Sequence, residues 1–171
     1  NNLPGGERFK AKAVNFGILN GMGPARLALQ IRSTVDEARQ FIRKHRDAHP
    51  ELHNWMHTVR MVTEGSSSAS ALDGTRRVYQ KWELERLTSA VSQEVQGTAA
   101  ALMKHALVAC EEAGLRPILS VHDELIGDVL DKGAEYATIM REAANAAFPN
   151  SRLNQVDFVA EGGHGETWAD V

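Results

Sequence analysis

Apolar residues spaced three and four apart alternate with glycine and proline breaks along the first half of the chain, and this pattern predicts helices. After Pro4-Gly5-Gly6, residues 7–20 carry helical spacing that stops at Gly21, Gly23 and Pro24. A short helix is expected from Ala25 to Ile31. The next starts at Ser33 as N-cap, with Asp36 three residues on, and runs to about Arg46. His49-Pro50 breaks it, and Pro50 suits the first turn of a further helix to about Thr63. Residues 65–70 are polar and simple in composition and are expected as an exposed loop.

The second half is mixed. Asp73-Gly74 between Ser70-Ala71-Leu72 and Thr75–Tyr79 signals a two-residue hairpin turn. Helical spacing resumes from Trp82 to Ala113, with Gly97 as a point of possible bending and Gly114 as the stop. Pro117–Val121 and Leu125–Leu130 are β-prone runs separated by His122-Asp123-Glu124. A helix from Gly133 to Ala147 and a strand over Val156–Ala160 complete the pattern. Helices followed by a small antiparallel sheet with further helices make the expected fold class α+β.

Composition changes this picture little. The 171 residues suffice for one domain, or for two lobes. No run approaches the ~18 apolar residues needed to cross a bilayer, so no membrane partner is expected. The single cysteine, Cys110, excludes an intramolecular disulfide and fits a reducing compartment. Charge is more informative. Residues 1–60 hold ten Lys/Arg against five Asp/Glu, whereas residues 61–171 hold nine against seventeen. A basic first part suits phosphate contacts; the acidic remainder suits either a divalent-metal site or solvated helix surface.

Three constellations are candidates for chemistry. Arg8, Lys12, Phe16 and Asn20 recur in steps of four, each about 400° on from the last, so they share a slowly drifting helix face. Two cations and a ring there can hold a triphosphate and stack a base or sugar, and an ordinary amphipathic surface fits the same spacing. Gly17 within that helix implies a close approach to the backbone. Second, His122-Asp123-Glu124 sits between strands, and alternation along a strand keeps the two carboxylates from pointing the same way. Hard oxygen donors at such a tip suit Mg²⁺, and acidic turns without a ligand are also common. Third, Gln96-Gly97-Thr98-Ala99-Ala100 implies close helix packing or a close ligand, with Gln96 able to read a minor groove. His45, His49, His53 and His57 repeat at four-residue steps, but Pro50 interrupts that face and the expected reading is solvated surface, with His53 and His57 as an adventitious metal pair.

Taken in order, these segments resemble the A-family (polymerase-I-like) DNA polymerases. Arg8-Phe9-Lys10-Ala11-Lys12-Ala13-Val14-Asn15-Phe16-Gly17-Ile18-Leu19-Asn20-Gly21 is similar to the family's motif B, R-x3-K-x2-N-F-G-x2-Y-G. Gln96–Ala100 resembles its Q-G-[ST]-A-A helix, and Ser120-Val121-His122-Asp123-Glu124-Leu125 its motif C. Gly163-His164-Gly165-Glu166-Thr167-Trp168 looks like its closing G-x-G-x-x-W, and His49-Pro50-Glu51 and Asp73–Tyr79 fit further segments. Single-subunit RNA polymerases are less similar.

The resemblance implies a helical fingers lobe over 1–64 and part of a polymerase palm over 65–171. It implies template-directed addition of dNMP from dNTP to a primer 3′-OH by two-metal phosphoryl transfer. Arg8 and Lys12 would hold the triphosphate, Phe16 would stack on the sugar and base, and Asn20 would complete the nucleotide site. Asp123, with Glu124 nearby, would ligate the Mg²⁺ pair; Gln96 and His122 would touch the primer–template DNA. Asn20 stands where the family usually has Tyr, and Phe9 replaces a common second arginine.

Motif A, with the other metal-binding aspartate, would lie upstream of Arg8; Asp157–Glu161 has similar spacing but follows motif C. With Asn1-Asn2 rather than Met at its start, the chain is expected to be processed, trimmed or cut from something longer. Its partners would be primer–template DNA, dNTP and an upstream segment carrying motif A, and alone it would be inactive. A non-catalytic nucleic-acid-binding subunit, or the structural half of a split polymerase, is the alternative. The compartment implied is the cytoplasm of a bacterium or a phage-infected host.

Overall fold

The computed structural model describes residues 5–83, 88–128 and 132–167. It divides into two compact units, 1–97 and 98–171. In the first unit α1 (Gly5–Leu19), α2 (Pro24–Ile31), α3 (Val35–Ala48) and α4 (Pro50–Ser66) precede a hairpin of β1 (Ser68–Ser70) and β2 (Arg76–Val78). Helix α5 (Thr88–Glu112) belongs to this unit up to Gly97 and to the second from Thr98. The second unit adds the hairpin β3 (Pro117–Val121) and β4 (Glu124–Gly127), α6 (Gly133–Ala146) and a 3-10 turn at Arg152–Gln155. The α+β class is as expected. No helix of the described residues is long and apolar enough to cross a membrane.

Helix ends follow local chemistry. At the end of α1, Met22 N donates to Gly17 O and Gly21 N to Ile18 O, with Gly21 at φ 68°. This is the paired-bond ending in which a left-handed residue satisfies the last carbonyls. Gly114, at φ 77°, ends α5 the same way, and the two residues its bonds link, Cys110 and Leu115, are both fully buried. The start of α3 differs from expectation by one residue. Thr34 is the cap: its hydroxyl accepts from Glu37 N at 3.2 Å while the Glu37 carboxylate accepts from Thr34 N at 3.0 Å. Thr34 and Glu37 complete both halves of a capping box, whose return bond suits glutamate; the aspartate of Ser33 with Asp36 is one methylene shorter. The bonds that the Glu37 carboxylate accepts from Thr34 N and from Thr34 Oγ1 hold it below its ordinary pKa.

Other boundaries moved too. Residues 65–70 are not a loop: α4 runs to Ser66 and β1 starts at Ser68, with Ala69 buried. Small residues there let the strand lie against the core. The following hairpin has a three-residue loop, not two, because Ala71 N donates to Thr75 O and Gly74 N to Ala71 O, with only Gly74 in the left-handed region. Asp73 locks it by accepting from Thr75 N at 2.9 Å and from Thr75 Oγ1 at 2.8 Å. The helix expected from Trp82 begins at Thr88 among the described residues and runs unbroken past Gly97; residues 84–87 and the end of the run Leu125–Leu130 lie outside the described set. The strand expected at Val156–Ala160 does not form. Its backbone bonds to a side chain instead: Phe158 N donates to Asn145 Oδ1 at 3.1 Å, which ties the segment to α6.

Each unit has its own core. In the first, Val14, Ile18, Leu27, Ile31, Met56 and Val91 pack together with Tyr79 and several alanines. In the second, Cys110, Leu115 and Tyr136 are joined by Leu125, Ile139 and Met140. Burial pushes the Cys110 thiol and the Tyr136 phenol above their ordinary pKa values.

Candidate nucleotide and metal site

The candidate residues sit on three local frames. On α1, Ala13, Val14, Gly17 and Ile18 face the core, and Arg8, Lys12 and Phe16 lie on the exposed side. Phe16 is 52% exposed, and the Lys12 ammonium lies 5.8 Å from its ring centroid. A cation–π contact at that distance on an open surface contributes about 0.5 kcal/mol, enough to bias both side chains toward one another and little enough to be exchanged for a ligand.

Gly17 does not mark a ligand. A Cβ there would lie 3.3 Å from Met22 Sδ and 3.6 Å from Leu27 Cδ1, so the close approach is the protein's own core. Gly97 has the same explanation, since its Cβ would lie 2.8 Å from that of Ala71. Close packing is therefore sufficient reason for the small residue beside Gln96. Gln96 itself is exposed on α5.

Asn20 is engaged at both ends of its amide. Nδ2 donates to Phe16 O at 2.8 Å, and Oδ1 accepts from Ser92 Oγ at 2.6 Å. It therefore closes the end of α1 and fastens it to α5. Ser92 was absent from the sequence-derived candidates, because nothing local marks a serine 72 positions away as a partner.

In the second unit, His122 and Asp123 form the two-residue turn of a hairpin in which Val121 pairs with Glu124. His122 takes φ 57°, a left-handed conformation in which histidine is over-represented among non-glycine residues. Asp123 therefore sits in the turn and Glu124 begins β4, and all three side chains are exposed. Among the described residues neither carboxylate has an ion pair, and no three potential ligands are grouped to hold a metal. Two adjacent hard donors fit Mg²⁺ as part of a shell completed by phosphate oxygens and water.

A family model described as DNA polymerase family A matches residues 2–170. The chain belongs to DNA polymerase family A. Relatives of this family-A chain include DNA polymerase I, thermostable, of Thermus caldophilus, 34% identical, covering 94% of this chain and 20% of that protein. DNA polymerase I of Pseudomonas aeruginosa is 31% identical over 99% of this chain and 20% of its own length. The chain thus spans about one fifth of the curated relatives it matches. In fold it is similar to the polymerase domain of Pol1 from M. smegmatis, solved with DNA primer-template and dNTP, at a TM-score of 0.70 and 24% identity; the match covers 86% of this chain and 29% of that one.

Proposed function

We propose that this family-A chain supplies the nucleotide-gripping helix and one metal-binding carboxylate motif for template-directed DNA synthesis. The carrying observation is the division of α1 into a core face and an exposed face bearing Arg8, Lys12 and Phe16. On this reading residues 1–64 act as fingers and 65–171 as part of a palm. Arg8 and Lys12 neutralise the triphosphate of a dNTP, and Phe16 stacks on its sugar and base. Asn20 serves the nucleotide site through position, holding the end of the helix against Ser92. Gln96 and His122 contact primer–template DNA. Asp123 and Glu124 would hold Mg²⁺, whose chemistry when bound is activation of the primer 3′-hydroxyl and neutralisation of the leaving pyrophosphate.

The second metal-binding aspartate is proposed to come from an upstream motif A segment. The β3–β4 hairpin supports this, because it pairs only with itself among the described residues and leaves Ile118 66% and Leu119 49% exposed. Two-stranded sheets are marginal without further cover, so a third strand there would both complete the sheet and bring in the missing ligand. The direct test is primer extension by the 171-residue chain alone and with the upstream segment added. Extension is expected only in the second case; robust synthesis by the chain alone defeats the claim that half of the metal site comes from elsewhere.

Lys12→Ala removes one cation from the triphosphate face and nothing from the core. In the completed enzyme, KM for dNTP is expected to rise on the order of ten-fold, the loss of one charge-assisted contact worth about 1.5 kcal/mol. Steady-state kinetics at fixed primer–template checks it, and unchanged kinetics rejects the nucleotide-helix assignment.

A further inference from the structure

The four histidines expected as solvated surface are in part brought together. The α3–α4 corner places His45 Nδ1 3.0 Å from His53 Nε2, and sets His45 beside His49 with ring centroids 4.8 Å apart and the planes tilted by 57°. Pro50 produces this contact: by starting α4 immediately after α3 it folds one histidine row back on the other. Beside the pair opens a groove of about 680 Å³, lined by Arg46 and Asp47 from α3 and by His53, Asn54, His57 and Arg60 from α4. A second hollow shares Arg46, His53 and Arg60 with it.

The groove holds more cation than the protein neutralises. Among the described residues no carboxylate forms an ion pair with Arg46 or Arg60. Asp47 lines the same groove without pairing with either. Arg60 Nε is shielded from water and has no hydrogen-bond acceptor. That atom is closed to the groove, so an anion there would meet the terminal amino groups of Arg60 and Arg46, which no carboxylate among the described residues pairs. Planar guanidinium forks match the oxygens of a phosphate in pairs, and imidazole and amide N–H groups add single donors.

We propose that the α3–α4 groove is a phosphate-binding site, with Arg46 and Arg60 as its principal contacts and His53, Asn54 and His57 as further donors. The chemistry is shared by the backbone of a nucleic acid strand and by free phosphate. The site is distinct from the α1 face and does not rest on the polymerase reading. Binding is tied to pH. Burial first, and then the neighbouring His49 and His53, lower the His45 pKa; burial first, and then Arg46, Arg60 and His49, lower that of His53. The two rings share one hydrogen bond, so one of them stays neutral while it lasts. A bound phosphate offsets the arginine charge and raises the His53 pKa, so a strand, whose phosphodiesters keep their charge, binds more tightly as pH falls through the His53 transition.

The test uses the 171-residue chain with two probes. Anisotropy of a labelled 12-nucleotide single strand measures the backbone arm, and inorganic phosphate followed by NMR of the histidine rings measures the free arm. Arg46→Gln and Arg60→Lys are expected to weaken the arm that uses the groove five- to ten-fold. For the strand, Arg46→Gln should also lower the slope of log affinity against log salt by about 0.7, whereas Arg60→Lys, which keeps the charge and loses only the fork, should leave the slope unchanged. Arg46 is exposed, so its variant isolates binding from folding, and circular dichroism verifies both. Loss confined to the oligonucleotide assigns the groove to a nucleic acid strand. Ring shifts with phosphate that vanish in Arg46→Gln, with strand affinity unchanged, assign it to free phosphate. Equal weakening by Arg43→Gln, on α3 but not lining the groove, or no weakening in either arm, overturns the proposal.

Discussion

Asp123→Ala is expected to abolish primer extension by the completed polymerase while leaving primer–template binding within about two-fold. The side chain stands in the turn of the β3–β4 hairpin, exposed and without an ion pair among the described residues, so no packing is lost with it. The turn is held by the Val121–Glu124 pair and by the left-handed His122, neither of which needs the carboxylate. What disappears is a hard anionic donor. Loss of even an outer-shell partner of a metal typically costs 10- to 100-fold, so removal of a direct ligand is expected to exceed about 10²-fold in kcat. Single-turnover extension with a pre-bound labelled primer separates chemistry from binding. If extension survives at more than about a tenth of the original rate, Asp123 is not the ligand, and motif C is misassigned. Glu124→Ala should cost less, because it begins β4, one position removed from the turn.

Gly127→Ala is expected to be strongly destabilising to the second unit. A Cβ at Gly127 would overlap the ring and hydroxyl of Tyr136. That ring is buried, and its hydroxyl donates to the carbonyl of Leu115, itself fully buried. The tyrosine cannot move aside without vacating the core it shares with Cys110 and leaving the Leu115 carbonyl unsatisfied. Overpacking together with a lost buried hydrogen bond gives about 2–4 kcal/mol. Gly65, inside α4 with nothing within 4 Å of its Cβ position, provides the contrast. There alanine is expected to be neutral or to stabilise by up to about 1 kcal/mol, through helix propensity alone. Urea denaturation with hydrogen exchange at the β3–β4 and α6 amides reads both effects. A change below about 0.5 kcal/mol for Gly127→Ala refutes the packing account.

Glycine shows where sequence reasoning reached its range. Gly21 and Gly114 were legible as helix stops because the reason is local: each carries the positive φ that its own paired-bond ending requires. Gly17 and Gly97 were legible as close approaches, but what approaches them was not. Met22, Leu27 and Ala71 fill those spaces, and no ligand is needed to explain either residue. The capping box at Thr34 and Glu37 lay one residue from the expected pair, because sequence offers both spacings and only side-chain reach chooses between them. The strand expected at Val156–Ala160 failed because β-prone composition cannot say whether a neighbouring strand exists to accept its bonds; Asn145 accepts and donates them instead.

By itself the sequence determined the α+β class, the order of helices and hairpins, the A-family motifs and the candidate residues Arg8, Lys12, Phe16, Gln96 and Asp123. These follow from periodicity, turn chemistry and motif order, all of which operate within a few residues. The tertiary structure decided which cations stand free and which atoms are engaged. It tied Asn20 to Ser92, set Lys12 beside Phe16, and folded His45 onto His53 next to Arg46 and Arg60. Those outcomes depend on contacts between segments, where burial and competition for hydrogen-bond partners are settled only once the chain is packed.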